Sequence, residues 1–104
     1  AAKKNRVTVL SSGNSGALSV AEHTLSLLLL LARGSHSVTN QLKQGVWSNS
    51  LNGVELHSKV LGVFGLGNIG KIVAEKAMAL GMQVIAYDPL YPSISLLPNK
   101  FKML

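Results

Sequence analysis

The chain of 104 residues contains no cysteine and few aromatic or acidic residues. Without cysteine, a disulfide framework and a thiolate metal site are excluded, and a reducing compartment such as the cytoplasm is the default expectation. Aromatic residues make up 5% of the chain, too few for the stacked platform typical of single-stranded nucleic-acid binding. Lys and Arg number 10 against 4 acidic residues, giving a net charge of +6. Because the basic residues at the two ends are separated by an apolar body, we expect no nucleic-acid partner.

The sequence also lacks an apolar run of the roughly 20 residues that a membrane-spanning helix needs. The most hydrophobic stretch, Leu27–Leu31, is bounded by Glu22, His23 and Arg33. It therefore indicates a buried helix and no membrane span. The chain begins at Ala1, without the basic, apolar and small-residue order of a secretory signal, so we expect its start to be a cut.

The composition that remains is typical of a folded core, with 47% hydrophobic and 13% charged residues. At this length we expect one domain or part of one. The β-branched stretch Arg6–Leu10 predicts a short strand, and residues 11–16, rich in Ser and Gly, predict a loop. Ser37–Gln44 predicts a more polar helix that ends at Gly45.

Between these segments, Ser19–Arg33 predicts a long helix with leucine on nearly all of its faces. Ser19 can cap it, with Glu22 three residues on as a capping-box partner, and Gly34 follows its last turn. Because the leucines cover so many faces, we expect burial on more than one side, either inside the domain or against a second subunit.

Residues 59–88 predict a βαβ unit. Lys59–Phe64 is an almost uninterrupted apolar run, typical of a strand covered on both faces of a parallel sheet. Over residues 68–80, apolar side chains recur at helical spacing, and Gly81 is placed to end that helix in a left-handed conformation. Gln83–Tyr87 predicts a second strand. The predicted fold class is α/β, a partial Rossmann domain with a doubly wound parallel sheet.

The motif that carries chemistry is G-x-G-x-x-G, formed by Gly65, Gly67 and Gly70 directly after a predicted strand and at the start of a predicted helix. The first glycine lets the chain turn tightly, the second lets the backbone approach a pyrophosphate, and the third lets helix and strand pack closely. Free N–H groups near Asn68 and Ile69 then face the phosphates at the positive end of the helix dipole. The motif predicts a dinucleotide site.

Asp88 stands 18 residues after the third glycine, at the end of the second predicted strand. A carboxylate there accepts hydrogen bonds from the adenosine ribose hydroxyls and repels an additional 2′-phosphate. No arginine occupies positions 89–91 to offset that repulsion. The sequence therefore favours NAD over NADP.

The other candidate residues give weaker evidence of a functional site. No Cys, Asp or Glu stands at metal-ligand spacing from the three histidines, so we predict no metal site at His23, His36 or His57. His23, on a mostly apolar helix, is more often structural than a catalytic base, and Trp47 is expected to be a core anchor. Ser48 and Ser50 lack the strained elbow and the base of a hydrolase triad.

A series of short segments, in one order along the chain, is more specific than the glycine motif alone. The segments are Val20-Ala21-Glu22-His23-Thr24, Leu27 to Arg33, Gly45-Val46-Trp47, Gly53-Val54-Glu55-Leu56, Lys59-Val60-Leu61-Gly62, Gly65 to Gly70, Gly81-Met82 and Tyr87-Asp88-Pro89. With them, residues 7–89 resemble the D-isomer-specific 2-hydroxyacid dehydrogenases, which include phosphoglycerate, glycerate, D-lactate and formate dehydrogenases. Two departures from the family pattern are Ser58, where glycine is usual, and Asn68, where arginine is common.

The resemblance implies a cofactor, a reaction and a partner. The cofactor is NAD, and the reaction is oxidation of a 2-hydroxy acid or reduction of a 2-oxo acid. The helix Ser19–Arg33 helps to form a homodimer interface. The residues implied in cofactor binding are Gly65, Gly67, Asn68, Ile69 and Gly70 at the pyrophosphate, Asp88 at the adenosine ribose, and its neighbours Tyr87 and Pro89.

No catalytic residue is carried over by the resemblance. The family's catalytic arginine, its acidic partner and its acid/base histidine lie downstream of the second Rossmann strand, so we expect a chain truncated after the first βαβ unit and inactive alone. Residues 90–104 do not resemble the family and predict an irregular tail, whether from a truncated gene product, a frameshift or an alternative splice end. A nucleotide-binding or dimerising module without catalysis, and a non-functional remnant, stay open as alternatives.

Overall fold

The structure, a computed structural model, describes residues 1–47, 53–90 and 101–103. Its elements in chain order are α1 (Ala17–Arg33), α2 (Ser35–Lys43), β1 (Val60–Phe64), α3 (Asn68–Ala79), β2 (Gln83–Tyr87) and β3 (Phe101–Met103). The predicted α/β class is confirmed. Within the βαβ unit, the observed bounds of β1, α3 and β2 differ from the predicted ones by at most one residue.

The three strands form one parallel sheet in the order β1-β2-β3. Val60 pairs with Gln83 and Phe64 with Tyr87, so β1 and β2 end at the same edge. The third strand corrects the prediction of an irregular tail, because residues 101–103 pair with residues 84–86 of β2. Backbone pairing with a neighbouring strand forms β3 there, and no local periodicity in residues 90–104 indicated it.

The core lies between α3 and the sheet, and α1 packs on α3 with Leu28 against the same core. Ala74 and Ala77 of α3 are fully buried, and their small side chains let the helix lie close to the strands. The core cluster consists of Ala74, Ala77, Met82 and Val84, with Leu28, Leu56, Leu61, Val63 and Met78 packed against it. The packed core therefore holds in place the ends of β1 and β2, where the site lies.

Helix α1 begins two residues before the predicted start. Its N-cap is Gly16, and no side chain caps it, so the prediction of Ser19 as the cap is wrong. The N–H of Ala17 donates to the carbonyl oxygen of Asn14 at 3.1 Å, which starts the helix earlier. The predicted termination at Gly34 is confirmed, with φ +62° and its N–H shared between the carbonyls of Leu30 and Leu31.

Most leucines of α1 are uncovered within the chain. Only Ala21 and Leu25 of α1 are buried, and Leu31 is 80% exposed. No single helix in the described residues has the length and apolar character to cross a membrane. The two helices α1 and α2 reach that length and character only together, and they are bent by 67°.

Several burial predictions are wrong for one common reason. Residues 6–10 form no strand, and Val7, Val9 and Leu10 are exposed. Trp47, expected as a core anchor, is 83% exposed, and so is Phe64 of β1, which was expected to be covered on both faces. An apolar side chain in the sequence can be buried, but it is buried only where another part of the protein packs against it. The radius of gyration of 18.9 Å, against roughly 13 Å for a compact domain of about 100 residues, reflects this open packing.

Candidate functional site

The glycine turn between β1 and α3 has the geometry that the motif predicts for its first and third positions. Gly65 has φ +97°, a left-handed conformation that L side chains rarely adopt. A Cβ at Gly70 would lie 2.0 Å from the carbonyl oxygen of Gly65, so only glycine lets α3 approach the turn this closely. These two glycines therefore shape the turn.

The second glycine faces open space. A Cβ at Gly67 meets nothing within 4 Å, and its φ of −69° suits any residue. Gly67 is also the N-cap of α3, where no side chain accepts a hydrogen bond from the first turn. The first N–H groups of a helix have no partner within it, so this end of α3 offers backbone donors, with the positive end of the helix dipole, to an anion.

Asp88, at the end of β2, reaches across to the same turn. Its Oδ2 accepts the N–H of Leu66 at 2.6 Å, and its Oδ1 accepts the N–H of Leu90 at 2.8 Å. A backbone hydrogen bond also connects the turn to the end of β2, because the N–H of Gly65 donates to the carbonyl oxygen of Tyr87 at 2.8 Å. These bonds join two segments that lie 22 positions apart, so a carboxylate lies beside a turn that offers backbone N–H donors.

A cavity of about 780 Å³ opens between the glycine turn and the start of α1. Five of the eight predicted site residues line it, namely Gly65, Gly67, Asn68, Ile69 and Gly70. Tyr87, Asp88 and Pro89 do not line it. Tyr87 and Pro89 are exposed at the end of β2, and half-buried Asp88 contacts the turn at the N–H of Leu66. A dinucleotide that bridges both groups must therefore extend from the cavity across the turn to the end of β2.

Sequence reasoning missed the second wall of this cavity. The loop before α1 contributes Ser12, Gly13 and Asn14, and α1 contributes Ala17, Val20 and Thr24. The side-chain amide of Asn68 donates to the Oδ1 of Asn14 across 54 residues of sequence. The available signal was the glycine-rich composition of residues 11–16, which we interpreted only as a loop.

The remaining candidates stay apart from the cavity. His23 is exposed on α1 instead of packed, and the ring of His57 lies against Gly81, whose φ of +82° ends the α3 turn as predicted. Among the described residues, no three His, Cys, Asp or Glu side chains form a group that could hold a metal ion. Ser48 and Ser50 lie outside the described residues.

Comparison with known proteins gives the family. Residues 25–102 match the model described as "D-isomer specific 2-hydroxyacid dehydrogenase, NAD binding domain". The chain belongs to this family. The match runs from the middle of α1 through the glycine turn and Asp88 to β3. It extends past Pro89, so the expectation that residues 90–104 do not resemble the family is wrong for most of that segment.

Curated relatives agree with that assignment. The hydroxypyruvate reductase of Thermotoga maritima is 45% identical over 96 residues, covering 91% of this chain and 31% of the relative. The D-3-phosphoglycerate dehydrogenase of Methanocaldococcus jannaschii is 42% identical over 93 residues, covering 88% of this chain and 18% of the relative. The chain thus spans less than a third of the length of these two relatives.

Solved structures show the same arrangement. The NAD-dependent formate dehydrogenase from Staphylococcus aureus, in complex with NAD, superposes with a TM-score of 0.84 at 31% identity, over 99% of this chain and 31% of that one. The D-lactate dehydrogenase from Escherichia coli gives 0.83 at 28% identity, over 99% and 33%. The NAD-binding fold of the 2-hydroxyacid dehydrogenases is therefore the fold of this chain.

Proposed function

We propose that the glycine turn, residues 65–70, holds the pyrophosphate of NAD and that Tyr87, Asp88 and Pro89 border its adenosine ribose. The observation that carries the proposal is the 2.6 Å bond between Leu66 N–H and the Asp88 carboxylate. It sets an anionic acceptor beside the uncapped start of α3. The ribose hydroxyls of a dinucleotide can donate to the carboxylate, and its pyrophosphate can accept from the backbone N–H groups. One dinucleotide therefore fits both parts of the site.

The same geometry favours NAD over NADP. An ionised carboxylate has about four acceptor positions, and the N–H groups of Leu66 and Leu90 occupy two of those on Asp88. The others are available to the two ribose hydroxyls. A 2′-phosphate would meet the negative charge of Asp88, and positions 89–91 hold Pro, Leu and Tyr instead of a compensating arginine.

We further propose that the parent enzyme is an NAD-dependent oxidoreductase that acts on the hydroxyl-bearing carbon of a small 2-hydroxy acid, or in reverse on a 2-oxo acid. NAD, when bound, takes up the hydride that leaves that carbon. Residues 1–104 orient the cofactor through the turn and Asp88, and we assign none of them to proton transfer or to the substrate carboxylate. These residues alone are therefore expected to bind NAD without turnover. The cysteine-free composition supports the cytoplasm as the compartment.

Calorimetric titration of the purified chain with NAD and NADP tests the proposal. Saturable NAD binding that is tighter than NADP binding, and that weakens in Asp88→Asn, is the expected result. The asparagine variant is the matched one, because it keeps an oxygen that can accept from Leu66 N–H. If a folded chain gives no binding heat with NAD, the proposal is contradicted, and the dimerising module remains as the candidate function. An aggregated or molten chain favours a non-functional remnant.

A second copy of the chain is the proposed partner, through the predicted interface helix Ser19–Arg33. The supporting observation is its uncovered apolar surface, since Leu27, Leu30 and Leu31 are all exposed. Solvent-exposed leucines at i, i+3 and i+4 form one stripe on a helix, and a stripe of this kind is typical of an interaction site. The same surface favours the dimerising module as the second candidate function.

Sedimentation of the wild-type chain against Leu31→Gln tests the dimer. The wild type should sediment as a dimer and the variant as a monomer at the same concentration. Leu42→Gln is the matched control, because Leu42 is also exposed but lies on α2, and it should stay dimeric. A monomeric wild type contradicts the proposal.

A further inference from the structure

The loop before α1 and the start of α3 are joined by one side-chain hydrogen bond. The Nδ2 group of Asn68, the first residue of α3, donates to the Oδ1 of Asn14. The backbone of Asn14 has a second role, because its carbonyl oxygen accepts the N–H of Ala17 at the start of α1. Asn14 therefore ties together the N-terminal ends of two helices.

Both helix ends border the same cavity. Gly16 and Ala17 line it from α1, while Asn68 and Ile69 line it from α3. Among the described residues no side chain caps either helix, so the positive ends of two helix dipoles and their free N–H groups lie around one space. Asn14 lies on the wall of that space between them.

The amide groups of the pair retain donors for a ligand. Each side-chain amide has two N–H donors, and Asn68 uses one of its two on Asn14. In the described part of the chain, the Nδ2 group of Asn14 donates to no other residue. The pair thus brings uncharged N–H donors to the mouth of the glycine turn.

We propose that Asn14 is a further residue of the phosphate subsite, which accepts from Asn68 and donates its own amide N–H groups to the pyrophosphate of NAD. The proposal rests on the proposed NAD function. It extends the subsite from one loop to two, so that the pyrophosphate is held from the glycine turn and from the loop before α1.

NMR titration of the ¹⁵N-labelled chain with NAD, ADP and adenosine separates this role from a general one in folding. Asn14→Ala should raise the dissociation constants for NAD and ADP about 3- to 10-fold, the loss expected for one hydrogen bond. Adenosine, which lacks phosphate, should bind the variant and the wild type equally. Asn14→Asp keeps an acceptor for Asn68 but loses the donors and adds a negative charge, so it should weaken NAD binding more than alanine does.

Two controls make the outcome decisive. Asn40→Ala removes another exposed asparagine side chain that makes a hydrogen bond, to His36 on α2, and should leave all three dissociation constants unchanged. In the ligand-free chain, the Asn68 side-chain resonances should shift in Asn14→Ala and not in Asn40→Ala. Equal weakening of NAD and adenosine by Asn14→Ala, or wild-type NAD affinity in Asn14→Asp, overturns the role of Asn14. A wild-type chain that binds no NAD overturns the proposed function as well.

Discussion

Replacing Asp88 with alanine should destabilise the folded chain even when no cofactor is present. The Asp88 carboxylate accepts the N–H of Leu66 at 2.6 Å, and Leu66 is 0% exposed, so alanine leaves a buried donor without an acceptor. An unsatisfied buried donor costs about 1–3 kcal/mol. The bond from Leu90 adds little, because Leu90 is exposed and water replaces the lost acceptor. We therefore expect the free energy of unfolding to fall by about 2 kcal/mol.

Urea unfolding followed by circular dichroism measures this change. Asp88→Asn keeps an oxygen for Leu66 N–H and should lose less than about 1 kcal/mol, since a neutral hydrogen bond replaces a charge-assisted one. Glu55→Ala removes an exposed carboxylate outside the helices and strands and should change stability by less than about 0.5 kcal/mol. If Asp88→Ala unfolds at the same urea concentration as these two controls, the stability of the glycine turn does not depend on the carboxylate.

Three further substitutions probe the backbone, two in the glycine turn and one before β1. Gly70→Ala should lower the thermal unfolding midpoint and cost at least about 1–3 kcal/mol, because the added carbon falls 2.0 Å from the Gly65 oxygen; an unchanged midpoint contradicts this packing. Gly67→Ala should lower the midpoint by less than Gly70→Ala does, because nothing lies within 4 Å and only the N-cap preference for glycine over alanine is lost; it should also weaken NAD binding about tenfold or more in calorimetry by obstructing the pyrophosphate, and normal affinity would place the phosphates elsewhere. Ser58→Gly should stabilise the chain by roughly 0.5–1 kcal/mol in urea unfolding, because Ser58 has φ +62°, a conformation that costs an L residue more than the extra flexibility of glycine does; a loss of stability would show that no such strain exists.

The local part of the site could be predicted from the sequence because short-range rules decide it. The spacing of apolar residues over 68–80 follows the helical period, and Gly65, Gly67 and Gly70 stand where a strand must turn into a helix. The observed conformations agree, with a positive φ at Gly65 and no room for a side chain at Gly70. The resemblance to the 2-hydroxyacid dehydrogenases drew on the same local segments, and the family match over residues 25–102 confirms it.

The wrong predictions concern residues whose structure depends on contacts with residues far away in the sequence. Trp47, Phe64 and the strand predicted at residues 6–10 were judged by their own apolar character, and the structure leaves them exposed because nothing in the described chain covers them. Residues 101–103 have no strand pattern of their own, and they form β3 because β2 offers them a free edge. The start of α1 was misplaced because the acceptor for Ala17 N–H is the backbone of Asn14 and not a side-chain cap.

Local sequence rules are therefore enough to predict the α/β class, the βαβ unit with its glycine turn, and the carboxylate of Asp88 at the end of β2. The tertiary fold sets which groups meet, because contacts between residues 22 and 54 positions apart leave no periodic trace in a sequence. It placed Asp88 on Leu66 N–H and Asn68 on Asn14. It also left most leucines of α1 exposed, since burial depends on an opposing surface that the residues of one helix do not specify.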